Sequence, residues 1–234
     1  MTMHFGKISY VILFAVVFVA LIGLGFWQYS RYQQKTDWLK NLEKTKHQPA
    51  LTHRDLSGHQ WQVFRQLKLR GSFKIEESFL LSGELRHGRS GYSVVTPLEW
   101  APNQPWVLVD RGWAPSPDGR DLPALKAPLA KDWIVGRIYS PVGKRYTLGP
   151  WQLAAKPGVV VVQDWDFAQI AQLLKHPVLP FVLRLSRELP GHYEREWSWI
   201  ASIPPSRHLA YAIQWWMFAL VGLIGVAILF KRTH

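Results

Sequence analysis

Five residues near the end of the chain, His208, Tyr211, Ala212, Trp215 and Ala219, are related by spacings of three and four. In a helix that spacing stacks them on one face. The face offers an imidazole at its head, flat aromatic walls below, and small residues that leave room. Arg207 adds a cation beside the imidazole. Chemically this is a shelf for a flat amphipathic ligand with a polar edge, an axial coordination site and an apolar body. Haem meets that description, since imidazole is a common ligand of its iron. The same pattern has a plainer reading. Tyrosine and tryptophan gather at membrane interfaces without any ligand, and a histidine there can simply be hydrated. Gln214 lies on a different arc, about 9 Å below His208 at helical rise. It is expected to bond across to another helix, because an amide at that depth needs a partner.

Two apolar runs must position these residues. Ile8 to Phe26 is 19 residues without a charge, and Leu209 to Phe230 is 22. At about 1.5 Å per residue each can cross a hydrocarbon layer of about 30 Å. A cleaved signal peptide has an apolar core of only about 7–15 residues followed by small residues; the first run is longer and ends in "FWQYSR". The expected order is therefore a short tail (1–7), a transmembrane helix (8–26), a polar domain (27–208), a second transmembrane helix (209–230) and a short tail (231–234). Two spans put both tails on one side, and the flanking lysines and arginines do not decide which. Gly23 and Gly25, near the end of the first run, would let another helix approach closely.

The chain has 234 residues, a formal charge of +12 and no cysteine. All 16 acidic residues and 25 of the 28 basic ones fall in 27–208, which leaves that domain a surplus of nine positive charges. A basic surface suits anionic lipid head groups or an acidic protein face. Nucleic acid is the weaker reading, because the bases are scattered and no recognition motif accompanies them. Without cysteine there are no disulfides, no thiolate metal sites and no covalent haem attachment.

Within the domain, "SRYQQKTDWLKNLEKTKHQP" carries Trp38, Leu39 and Leu42 at helical spacing, so the first helix should continue out of the membrane and stop before Pro49. From residue 61 the period changes to two. "WQVFRQLKLRGSF", "SFLLSGEL", "GYSVVTPLEW" and "PWVLVDRGWAP" read as half-buried strands, with "APNQP" (101–105) as a hairpin loop. A Pro-rich excursion (115–131) follows, and "WIVGRIYS" and "VVVVQDW" resume the strands. Asp166 is placed to cap a short helix, "FAQIAQLLK". "VLPFVLRLS" and "HYEREWSWI" look like closing strands. The fold class is thus two transmembrane α-helices flanking a mainly antiparallel β domain, a barrel or sandwich of about six to eight strands with one short helix.

No nucleophile elbow, H-E-x-x-H or phosphate-cradling glycine loop is present, and no two histidines stand at metal-ligand spacing. Asp110 and Arg111 could pose as an acid–base pair. Adjacent residues on a strand face opposite ways, however, and orienting loops through buried hydrogen bonds is the better expectation. The polar domain is not expected to be an enzyme.

At these residues the chain resembles the Surfeit locus protein 1 family of cytochrome c oxidase assembly factors. "LGFWQYSRYQQK" is similar to the family's exit from the first span, with Trp27, Gln28 and Arg31. "GYSVVTPL" with "WVLVDRGWAP" resembles its most distinctive strands, although Asp110 stands where members usually carry asparagine. "VVVVQDWDFAQIAQLL" and "LPFVLRL" match its later part, and "PPSRHLAYAIQWW" its entry into the second span, with His208 on the family's histidine. The resemblance implies a bacterial inner-membrane protein with its domain in the periplasm and both termini in the cytoplasm. It implies a non-catalytic chaperone in respiratory-chain biogenesis that helps insert or stabilise haem a in oxidase subunit I. His208 would be the axial ligand, Tyr211 and Trp215 the walls, and Arg31 and Arg207 the propionate partners, with Trp27 and Gln28 completing the pocket. Subunit I, other assembly factors and the lipid bilayer would be its partners. The alternative is a membrane scaffold that holds subunit I or other assembly factors and binds no haem. A membrane-bound enzyme acting on haem or lipid is a third reading, without a catalytic set to support it.

Overall fold

A computed structural model describes residues 2–58, 61–116, 121–129, 132–141, 149–153, 159–197 and 204–232. The chain divides into two compact units, Met1–Asn41 with Ser198–His234, and Leu42–Trp197.

The first unit is built on α1 (Thr2–Lys46) and α4 (Pro205–Arg232). α1 runs on without a break from its apolar part into the polar part, as its spacing predicts, and ends three residues before Pro49 with Lys44 and Lys46 in the last turn, where they suit the negative end of the helix dipole. α4 starts on Pro205, whose missing N–H is harmless at a first helical position. His208 is therefore already helical. Both helices are long and apolar enough to cross a membrane. Val16, Val19, Leu220, Val221 and Leu229 stand exposed along them.

The shielded residues of α1 recur at alternating steps of four and three: Phe14, Phe18, Leu21, Gly25, Gln28, Tyr32, Lys35. Those of α4 do the same: His208, Ala212, Trp215, Ala219, Gly222, Val226. This is the seam of two helices packed along their length. Their sense is antiparallel. Gly222 lies by Phe14, Trp216 by Gly25 and His208 by Gln28. Gly25 admits the close approach the sequence suggests, since a Cβ built there would fall inside the Trp216 indole, whereas one at Gly23 would meet nothing.

The second unit is a sheet with nine strands among the described residues. They are β1 (Gln66–Leu69), β2 (Ser72–Phe73), β3 (Phe79–Arg86), β4 (Arg89–Glu99), β5 (Trp106–Pro115), β6 (Ile134–Tyr139), β7 (Gln152–Leu153), β8 (Val160–Val162) and β9 (Val178–Leu185). Two short helices join them, α2 (His53–Ser57) and α3 (Phe167–Leu174). The order is β1-β6-β9-β5-β4-β3-β8-β7, with β2 on β4. Most pairs are antiparallel, but β3 with β8 and β5 with β9 are parallel. The expected barrel or sandwich is thus a single mixed open sheet. Alternation along a strand reports which face is buried, not which strand lies alongside. β8 and β9 reach their neighbours by crossovers that no hairpin signal marks.

Alternate residues of the central strands feed cores on opposite faces. Val107 and Val109 pack with Leu67, Phe181 and Leu183, while Leu108 packs with Phe79, Val182, Ile170 and Leu174. Strands covered on both faces read as near-continuous apolar runs, which is why β4 and β5 carry "SVVTPL" and "WVLVD". The loop at 101–105 is the expected hairpin, turned at Asn103 with φ 59°. Asp166 caps α3 as expected, its Oδ1 accepting from the backbone N–H of Ala168 and of Gln169, both at 3.1 Å.

Asp110 and Arg111 do face opposite ways. Asp110 accepts from the Gly112 N–H at 3.2 Å and faces Arg184 Nε at 3.9 Å. Arg111 donates to Thr96 Oγ1 at 3.1 Å and to the Lys126 carbonyl at 2.5 Å, which straps the Pro-rich excursion down. Part of that excursion (117–120, 130–131) lies outside the described residues. The expected strand 192–200 is instead a single bridge, Glu194 to Trp113. Arg195 gathers the carbonyls of Ser186, Leu189, Pro190 and Arg111, which holds the segment in irregular backbone; residues 198–200 lie outside the described part.

Candidate functional site

The best-defined polar arrangement in the first unit is a pair across the helix seam. His208 is 9% exposed. Its Nδ1 lies 2.7 Å from Gln28 Oε1, at hydrogen-bond distance across the seam. The other ring nitrogen, Nε2, is buried and has no hydrogen-bond partner among the described residues. A buried nitrogen left without a partner is uncommon, and an imidazole in this state presents a lone pair to whatever approaches it. An unprotonated imidazole nitrogen is one of the donor atoms that haem iron takes as an axial ligand. Among the described residues no cluster of three or more His, Asp or Glu is arranged to chelate a bare metal ion.

The neighbours are aromatic and small. Ala212 and Ala219 are buried on the His208 face, and Trp215 is half-buried with its ring edge-on to Phe218 at 6.1 Å. Trp216 fills the space over Gly25 and meets Phe26 at 5.5 Å and Tyr29 at 6.0 Å. Tyr211 stands 48% exposed, toward the outer side of α4 rather than in the seam. Trp27 is 51% exposed, with the Arg31 guanidinium 5.9 Å from its ring centre. Arg31 also donates to Gln34 Oε1 at 3.0 Å. Arg207 is exposed next to His208 in the chain.

Of the residues marked in the sequence, the fold brings His208 to Gln28 and Arg31 to Trp27. It sets Ala212, Trp215 and Ala219 on the face of His208, and it leaves Tyr211, Arg207 and Trp27 at the periphery. Two points differ from expectation. Gln214 is exposed, and the glutamine that bonds across the seam is Gln28. Trp216, and not the expected Trp215 alone, lines the seam, since positions seven and eight after His208 straddle the same face. The signal that finds it is Gly25, a residue small enough to accept an indole from the facing helix.

The comparisons with known proteins converge. The family model described as the SURF1 family matches residues 15–220. A SURF1-like protein of Rickettsia felis is 30% identical over 100 residues, 42% of this chain and 43% of that protein. A SURF1-like protein of Rickettsia bellii is 30% identical over 101 residues, 42% of this chain and 40% of its own length. The cytochrome oxidase assembly protein SHY1 of Saccharomyces cerevisiae is 28% identical over 153 residues, 62% of this chain and 39% of that protein. The matched part of the chain thus spans less than half the length of these relatives. The family match takes in both the helix seam and the sheet, and on that extent the chain belongs to the SURF1 family.

Proposed function

We infer that the protein is a membrane-tethered assembly factor for haem–copper cytochrome oxidase that holds haem a for delivery to subunit I. The observation that carries this reading is His208 Nε2, a buried imidazole nitrogen without a hydrogen-bond partner among the described residues, at the head of an aromatic and small-residue seam. Membership of the family supports the oxidase role, and a relative bears the name of an oxidase assembly protein. α1 and α4 would be the membrane spans, with the sheet in the periplasm and both termini in the cytoplasm of a bacterial inner membrane.

In this reading haem a is cargo, and its iron supplies the open coordination position that an imidazole fills. His208 would be the axial ligand. Trp215 and the outlying Tyr211 would flank the ring. Arg31 and Arg207 are exposed cations that would meet the propionates, and Trp27 orients Arg31 through its ring face. Release requires only that one coordination bond and a few charge contacts be exchanged for those of the acceptor. The test is the visible spectrum of the full chain purified from cells that make haem a, beside that of His208→Ala. The wild type should carry a haem a band and the variant should lose it; an unchanged band would remove His208 from the site.

A second reading, a scaffold that binds no haem, is favoured by one surface. Trp133 is exposed, with Lys68 Nζ 4.4 Å and the Arg70 guanidinium 4.3 Å from its ring. Such a basic and aromatic patch suits an acidic protein face. On this reading subunit I would cross-link to the protein equally well when haem a synthesis is blocked.

A further inference from the structure

His208 has two ring nitrogens, and which of them is free is decided from the facing helix. We propose that Gln28 is a positioning residue: its side-chain carbonyl holds His208 as the neutral tautomer protonated on Nδ1 and so makes Nε2 the ligating atom. For its ligand this rests on the haem reading above; for its first test it does not.

The geometry carries the assignment. Gln28 Oε1 and His208 Nδ1 are 2.7 Å apart, a short contact for an N–H donor and an oxygen acceptor. If the amide were turned to donate instead, Nδ1 would be the acceptor and the proton would sit on Nε2. That nitrogen is buried without a partner. A buried N–H with no acceptor is rarer in folded proteins than an under-used lone pair, so the arrangement with the proton on Nδ1 is the favoured one. The seam fixes the register that brings the two residues level. Trp216 sits over Gly25, one turn before Gln28, and packs on Phe26 and Tyr29. Gln28 can therefore not slide a turn without expelling that indole.

The residue type has a consequence. An imidazole that ligates a metal usually donates its other N–H to a carboxylate, a carbonyl or water, and the partner sets how strongly the ring donates. A carboxylate pulls the proton hard and makes the ring a strong ligand. An amide carbonyl orients the ring while leaving it a moderate donor. That suits a site that must give its ligand up again. Gln28 thus sets both the direction and the grip of His208 without touching the ligand.

The first test needs no haem. In the full chain labelled with ¹⁵N-histidine and held in lipid nanodiscs, the long-range proton–nitrogen spectrum of His208 should show a protonated, pyrrole-type Nδ1 and an unprotonated, pyridine-type Nε2. In Gln28→Leu that preference should be lost. The opposite tautomer in the wild type, or the same pattern in Gln28→Leu, would overturn the proposal. The second test adds haem a. Gln28→Leu should weaken its binding by about 10–100-fold. Gln28→Glu, which keeps the shape and supplies a carboxylate, should tighten binding and lower the midpoint potential of the bound haem. Haem binding with affinity and potential unchanged in both variants would sink the proposal while leaving the haem reading intact. Failure of the wild type to bind haem a would sink the haem reading, and the nitrogen spectrum would still decide the role of Gln28.

Discussion

His208 and Gln28 are 180 residues apart in sequence and 2.7 Å apart in the fold. This polar contact joins the first and last helices of the chain at a set level. Packing below it is made by residues that fit only in that register, Trp216 over Gly25 and Phe14 beside Gly222. The histidine is therefore held by its partner's position as much as by its own helix.

The register can be checked because the chain has no cysteine. Phe14→Cys combined with Gly222→Cys should be bridged within one molecule by a short bismaleimide reagent, read as a mobility shift on a gel. Pairing Phe14→Cys with Arg207→Cys should give no bridge, since about 15 residues of helix, or about 22 Å, would separate them. A bridge from the second pair and none from the first would contradict the antiparallel seam.

Gly25→Val should disturb the site without touching it. The added carbons fall where the Trp216 indole lies, and overpacking of this kind costs about 1–3 kcal/mol. The expected outcome is a loss of the bismaleimide bridge and of haem a binding together, with the melting of the sheet unit unchanged. Gly23→Val, at a position with open space, should change neither.

Much of this arrangement can be read in the residues, and the limits of that reading are physical. The two apolar runs, the helical continuation to Lys46, the hairpin at 101–105 and the Asp166 cap each follow from local patterns that act within a few residues. The pairing of β5 with β9 and of β3 with β8 depends on crossovers whose ends carry no local mark. On α4 the three–four spacing places His208, Ala212 and Ala219 on the inner face, but Tyr211 sits at its edge and turns outward. The partner of His208 could not be chosen from α4 alone. Gln28 and Gln214 are both amides at plausible depth, and only the register of the two helices decides between them.

Arg111 should matter to stability and not to the ligand. Its fork joins Thr96 on β4 to the Lys126 carbonyl in the Pro-rich excursion. Arg111→Ala removes both charge-assisted bonds and should destabilise the sheet unit by about 2–3 kcal/mol, measured by denaturant unfolding followed by tryptophan fluorescence. Arg111→Lys keeps the charge but has no fork, so it should recover less than half of that loss.

Acid should weaken the start of α2. Hydrogen bonds from the Thr52 backbone N–H, at 2.7 Å, and then from its hydroxyl hold the Asp55 carboxyl below the usual carboxylate range. A folded-state value below the unfolded one adds stability that is present above the ordinary aspartate range and is lost as pH falls through the folded-state value. Asp55→Asn should therefore flatten the acid limb of the unfolding profile and leave the neutral limb's slope unchanged. A profile identical to wild type would show that the carboxylate contributes nothing.

Arg31 and Arg207 are exposed cations on α1 and α4. If they meet the propionates, Arg31→Gln and Arg207→Gln should each raise the haem a dissociation constant by about fivefold, about 1 kcal/mol apiece. The effect should shrink with added salt. Equal affinity in both variants at low salt would place the propionates elsewhere.

The most direct measurement of the central claim is chemical rescue at His208. His208→Gly removes the imidazole and leaves a space that free imidazole can enter. The account predicts that the purified variant shows no haem a band after exposure to haem a, and that adding imidazole restores a band matching the wild type. A full-strength wild-type band in His208→Gly without imidazole would contradict it.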